Sequence, residues 1–309
     1  MNNLNVSKII VIIVFILAFT VAPFSVVSAN TSSSGPLKVD QTNPQYFFYD
    51  GKTVRLAGNQ NVWETQDRAW NTPTVSLSTS GLSEYMQYMK DRKLNYLRNW
   101  IYWSTGWGSD GTYVASPIPY QRVAGFGVAN DGQSKFDLTK FDQSYFDRLY
   151  AMAKAAQDND ILVSIMLFDV YGFLSTGTSL DLWGNPFYEG NNIQGISIDA
   201  NNNRSGMEFY ENPSPQIKGI QEEYVKKVLD TLNGLDNVFY EIINECLCVQ
   251  WQYDMIDFVK QYESTKAKQH LVFMSPGGRR DDTAVPWLDT LRSVVVDSAA
   301  DVISVADND

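Results

Sequence analysis

From Gln45 onward, short runs of β-branched and aromatic residues alternate with longer stretches of helical apolar periodicity. That alternation predicts repeated βα units around a parallel sheet. Residues 161–168 and 238–243 are the clearest strand runs. Their nearly continuous apolar character is what a strand covered on both faces requires. Ahead of the first of these, Phe141, Tyr145, Phe146, Leu149, Met152, Ala153 and Ala156 recur at steps of mostly three and four, the spacing of one apolar helix face. Ile220, Tyr224, Val225 and Val228 repeat the pattern within a helix over 216–232. Further strands are predicted at 54–58, 94–102, 271–274 and 302–305, and further helices near 83–90, 253–266 and 285–294. Asp50-Gly51 tolerates positive φ and predicts a tight hairpin between 47–49 and 53–56, one that caps the bottom of a barrel and feeds its first strand.

The expected fold class is therefore α/β: a TIM-type (β/α)8 barrel of which about six βα units are present, incomplete at the C-terminus. Two long loops, 103–135 and 171–213, leave the C-terminal ends of the second and third strands, where barrels of this kind carry their sites. A doubly wound open sheet would place a Gly-rich phosphate turn after its first strand. Gly58-Asn59-Gln60-Asn61 is not such a turn.

Lys8, an apolar run from Ile9 to Ala18, and small residues ending at Ala29 predict a cleaved secretory signal over 1–29, followed by a flexible lead-in over 30–44 and one barrel domain over 45–309. The apolar core of the signal is shorter than the ~20 residues a bilayer span needs. The expected location is thus extracellular or periplasmic, with no stable membrane association after cleavage. A net charge of −11 excludes nucleic acid and anionic membranes as partners, because both demand clustered Lys and Arg. Cys246 and Cys248 are the only two cysteines, too close in sequence to close a useful loop, and His270 is the only histidine. That donor set predicts no metal and no cofactor.

Asn244-Glu245 follows the strand run 238–243 directly and should emerge at the catalytic rim. A carboxyl group there suits general acid/base chemistry, although a polar pair can also simply cap a strand. Trp63, Trp100, Trp103, Trp107, Tyr171 and Trp183 lie on or just after strand C-termini, where rings offer faces for sugars to stack on or pack within loops. Asp169, directly after the third strand, can bond a sugar hydroxyl or cap its loop. Asn191 and Asn192 join these as substrate-binding candidates in the second long loop. Arg98, on an otherwise apolar strand, must find an anion or several acceptors, either at the site or in a structural ion pair.

Tyr240-Glu241-Ile242-Ile243-Asn244-Glu245 resembles the fourth-strand motif of the glycoside hydrolases that include the family 5 cellulases and mannanases. Asp50-Gly51-Lys52 with Arg55-Leu56-Ala57-Gly58 is similar to that family's first hairpin and strand, and Asn95-Tyr96-Leu97-Arg98 to its second strand. Phe136-Asp137-Leu138-Thr139, Tyr145-Phe146-Asp147-Arg148-Leu149, Asn191-Asn192-Ile193 and Asp236-Asn237-Val238 resemble a bacterial branch related to apiosidase-like proteins. The resemblance implies a carbohydrate substrate and a retaining two-carboxylate mechanism. It makes Glu245 the general acid/base, Asn244 the contact to the sugar 2-hydroxyl, and Arg98 the residue that orients the nucleophile. That family's nucleophile stands on a seventh strand, and six are found here, so the chain is expected to be inactive by itself. A carbohydrate-binding protein without catalysis, on the same barrel, is the alternative.

Overall fold

Six strands run parallel in one sheet: β1 (Gly58–Val62), β2 (Tyr96–Asn99), β3 (Leu162–Phe168), β4 (Val238–Ile243), β5 (Val272–Met274) and β6 (Val302–Ile303). They pair in the order β6-β5-β4-β3-β2-β1, each with its neighbour in sequence. A doubly wound sheet reverses its strand order at a switch point. This one never reverses, which is the winding of a (β/α)8 barrel. Helices α1 (Thr79–Asp91), α2 (Gln143–Gln157), α3 (Pro215–Leu232), α4 (Val249–Glu263) and α5 (Trp287–Asp297) alternate with the strands.

This is a computed structural model that describes residues 35–62, 65–70, 79–107, 113–173, 184–203, 205–244, 246–276 and 287–304. Residues 33–309 form one unit. The expected signal peptide, Trp63, Trp183 and Glu245 lie outside the described residues.

The sheet's two faces differ in what they bury. Val163, Ile165, Leu167, Tyr240 and Ile242 point outward into the layer shared with the helices. There α2 contributes the face expected of it, Tyr145, Phe146, Leu149, Met152, Ala153 and Ala156. Helix starts are set by caps: Asp142 accepts from the Ser144 amide at 2.9 Å, and Ser214 from the Ile217 amide at 3.2 Å, with Pro215 in the first turn. On the inner face Leu162, Phe239 and Phe273 meet Phe47, Tyr49, Val54 and Leu56. Ring centroids stand 5.8 Å apart for Phe47–Phe273 and 4.5 Å for Phe239–Phe273. The hairpin thus plugs the N-terminal end of the sheet. Its turn is the expected one, with positive φ at both Asp50 (49°) and Gly51 (74°), joining Phe47–Tyr49 to Lys52–Val54.

Several boundaries move. The first barrel strand is Gly58–Val62, not 54–58: Val54 ends the hairpin, and the side chain of Asn95 fastens the intervening segment by accepting from the Ala57 amide at 2.8 Å and donating to the Arg55 carbonyl at 3.0 Å. The loop over 103–135 is partly pleated. Asp67–Trp70, Tyr113–Ser116 and Gly106–Trp107 form a three-stranded antiparallel sheet, and Tyr120–Arg122 pairs with Phe136–Phe141. Helix α4 begins at Val249, four residues earlier than its apolar spacing indicated, because Trp251 and Gln252 are buried on its first turn.

A Cβ at Gly58 would lie 1.6 Å from the Tyr96 carbonyl oxygen, and backbone cannot swing aside as a side chain does. Gly58→Ala is expected to prise β1 from β2 and lower unfolding free energy by at least about 3 kcal/mol in urea denaturation. Near the base of α4, the Nε2 of His270 faces the Leu235 carbonyl at 2.8 Å and its Nδ1 faces Glu263 at 2.7 Å, while Glu263 also accepts from the His270 amide at 2.8 Å. Both side chains are buried. Glu263→Leu orphans the Nδ1 edge of the ring and the amide together and is expected to cost about 3 kcal/mol by the same assay.

Candidate active site

Successive side chains along a strand point to opposite faces, so residues two apart share one. Arg98 on β2 is the register partner of Ser164 on β3, and Ser164 is the partner of Phe239 on β4. Phe239 faces the inner cluster, so Glu241, two residues on, faces inward too. Arg98 meets it there. The guanidinium binds the carboxylate bidentately, Nε donating to Oε2 at 2.7 Å and Nη2 to Oε1. The Ser164 hydroxyl adds a third donor to Oε2 at 3.2 Å. Both side chains are largely withdrawn from solvent, 13% exposed for Arg98 and 3% for Glu241. An isolated charge at that depth would be prohibitive, whereas this fork-to-fork pairing satisfies both groups.

The same Nη2 donates to Oδ1 of Asn244 at 2.8 Å. Arginine can only donate, so the acceptor end of the Asn244 amide is set and its Nδ2 must point elsewhere. Below the pair lies Tyr96, whose phenol is pushed up to about 12, by burial first and by the Glu241 charge second, against the pull of Arg98 and a hydrogen bond with Ser164. On the other side the Arg98 guanidinium carbon stands 5.0 Å from the centroid of the half-buried Trp100 ring, a cation–π distance.

Arg98, Asn244 and Trp100 are therefore brought together at the C-terminal ends of β2 and β4. Glu245, next in sequence, lies outside the described residues, as do Trp63 and Trp183, and so do the side chains of Tyr171 and Trp107. Other candidates fall elsewhere. Trp103 is no stacking platform: it is fully buried, stacked on Phe168 at 5.9 Å and edge-on to Tyr224 at 4.7 Å in the layer outside the sheet. Asp169 is buried, accepting from the amides of Trp103 (3.4 Å) and Gly172 (3.3 Å), so it caps its loop instead of meeting a sugar. Asn191 and Asn192 are buried staples of the second long loop. Asn191 accepts from the Asn130 amide at 2.8 Å and donates to the Asn185 carbonyl at 2.8 Å. Asn192 donates to the Pro186 carbonyl at 3.0 Å and that of Ile196 at 2.9 Å, and accepts from the Ile196 amide at 2.9 Å. Loop packing consumes the polar groups that were expected to meet substrate.

Glu241 and Ser164 were missed because each sits within a run read only for its hydrophobicity. The signal was parity: a carboxylate two residues from Phe239, and a hydroxyl two residues from Leu162, both on the inner face. Cys246 and Cys248, too close in sequence to close a useful loop, are joined to each other by a disulfide. The ring it closes spans so few residues that its effect is local, at the turn where β4 passes into α4. Among the described residues, no group of three His, Cys, Asp or Glu could hold a metal ion.

The family model described as "Domain of unknown function (DUF6298)" matches residues 113–300, more than half of the chain. No curated protein matches. Among solved structures, the chain is similar to a glycoside hydrolase family 5 mannosidase from Rhizomucor miehei, at 15% identity and a TM-score of 0.50, over 88% of this chain and 61% of that one. Others are a glycoside hydrolase family 5 protein from Bacteroides vulgatus (14% identity, TM-score 0.46, 79% of this chain and 40% of that one) and an endo-1,4-beta-mannanase from Rhizomucor miehei (16%, 0.44, 82% and 62%). At 15% identity the likeness to the mannosidase speaks for the fold alone. The chain spans from 40% to 62% of the length of these three structures.

The buried pair makes a stability prediction. Arg98→Met alone leaves Glu241 unpaired and is expected to cost about 3–5 kcal/mol, whereas Arg98→Met with Glu241→Leu should recover most of that loss. Urea denaturation of the two variants checks it: equal losses would mean that the charges do not depend on one another.

Proposed function

We propose that this chain, which belongs to the DUF6298 family, is that of a secreted retaining glycoside hydrolase acting on a poly- or oligosaccharide. The observation that carries the reading is the Arg98–Asn244 hydrogen bond at the C-terminal end of β4, with Glu245 next in sequence. The fold likeness to family 5 glycosidases supports it. Residues 1–29 are the export signal, removed after Ala29.

Each residue has a role in the chemistry. Glu245 protonates the departing glycosidic oxygen and then, as its carboxylate, takes a proton from the water that releases the sugar. Asn244 donates Nδ2 to the 2-hydroxyl, a contact that strengthens as positive charge grows on the ring. Trp100 offers an aromatic face beside them. The second carboxylate, which attacks the anomeric carbon, comes from a strand other than these six: a (β/α)8 barrel closes with eight, and among the described residues β1 and β6 are the outermost strands of this sheet.

In the full-length protein, Glu245→Gln is expected to lower kcat on its polysaccharide by about 10²–10⁴-fold, read as reducing sugar released. Unchanged hydrolysis would overturn the assignment. Glycan binding by the unmodified protein with no turnover would establish a binding protein on the same barrel instead.

A further inference from the structure

We propose that Glu241 is a positioning residue: a buried counter-anion that holds Arg98 in one pose and, through it, fixes which end of the Asn244 amide faces the cleft. The inference rests on the reading of Asn244 and Glu245 as a sugar-cleaving pair. Nothing in that reading requires a third polar group lower on the same strand.

Three hydrogen bonds link Glu241 to Asn244 through Arg98. Glu241 engages the Nε and Nη2 edge of the guanidinium, which removes the freedom of that group to rotate about its last side-chain bond. The Nη2 so placed reaches Oδ1 of Asn244 at 2.8 Å. An amide flipped by 180° would present N–H to N–H there, so the flipped state is excluded while Arg98 stays put. Ser164 supports the anion from the third strand at 3.2 Å. Neutral glutamine at position 241 would keep the volume but offer one carbonyl oxygen to two guanidinium donors. The fork would open, and Asn244 would lose the partner that orients it. Aspartate keeps the charge and falls short by one methylene.

The test is a double-mutant cycle in the full-length protein, with kcat and KM measured separately and folding checked by thermal melting. Glu241→Gln is expected to lower kcat on the order of 10²-fold, the loss that a misplacement of about 1 Å brings, with KM changed far less, because the 2-hydroxyl contact matters most in the transition state. In an Asn244→Ala background the same change should cost less than about 3-fold, since the group it acts through is gone. Full additivity of the two losses would overturn the proposal and leave Glu241 a purely structural ion-pair partner. Where Glu241→Gln fails to fold, Arg98→Met with Glu241→Leu replaces it and is expected to show the same dependence on Asn244. A protein inactive on every glycan would count against the glycosidase reading only. The crystal structure of the Glu241 variant then decides this one: a displaced or flipped Asn244 amide supports it, and an Asn244 held as before overturns it.

Discussion

A guanidinium inside a parallel sheet has to be neutralised where it stands, and much of this architecture follows from that one requirement. Arg98 projects from the second strand onto the inner face of the sheet, where little water reaches it. The neutralising group must come from another strand on the same face, at a height set by register. Glu241 meets both conditions, two residues above the partner of Ser164. Because the pair is satisfied within the sheet, β2, β3 and β4 are tied together by side chains as well as by their backbone ladder. The apolar layer beneath, where the N-terminal hairpin packs on Phe239 and Phe273, keeps that pair dry from below.

That lower layer and the polar cluster above it divide the labour. The hairpin and inner rings supply burial, with no polar groups to align. The cluster supplies little net stability, since desolvation offsets most of its Coulombic gain, but it confers direction. Asn244 gains a fixed orientation, which an apolar neighbour could not impose.

How much of this was legible in the sequence depended on whether one periodicity sufficed. Strands β3 and β4 and helices α2 and α3 were readable because each carries a long, uniform pattern. The Asp50-Gly51 turn was readable because its backbone needs those residue types. The first strand was misplaced because Gly58-Asn59-Gln60-Asn61 has none of the β-branched character that marks a strand, while Val54 and Leu56 do. Its position is dictated instead by how closely two backbones approach at Gly58, a tertiary fact without local signature. The pleated excursions in the first long loop escaped notice for a related reason: Tyr113–Ser116 and Tyr120–Arg122 are held by strands outside the loop, Asp67–Trp70 and Phe136–Phe141.

The site divides along the same line. Arg98 stood out as a charged residue on an apolar strand and Asn244 as the polar residue directly after another, and they do meet. Trp100 and Trp103 looked alike in sequence, yet Trp100 directly follows β2 and its ring stands beside Arg98, while Trp103, three residues further along the loop, is sealed into the layer behind the sheet. Glu241 carried the opposite lesson. Read for hydrophobicity, it was a blemish in the run of β4; read for alternation, it was the only carboxylate on that strand sharing a face with Phe239 and opposite Arg98. In a sheet enclosed on both sides, apolar content identifies the strand, but parity decides which residues face the chemistry and which face the helices.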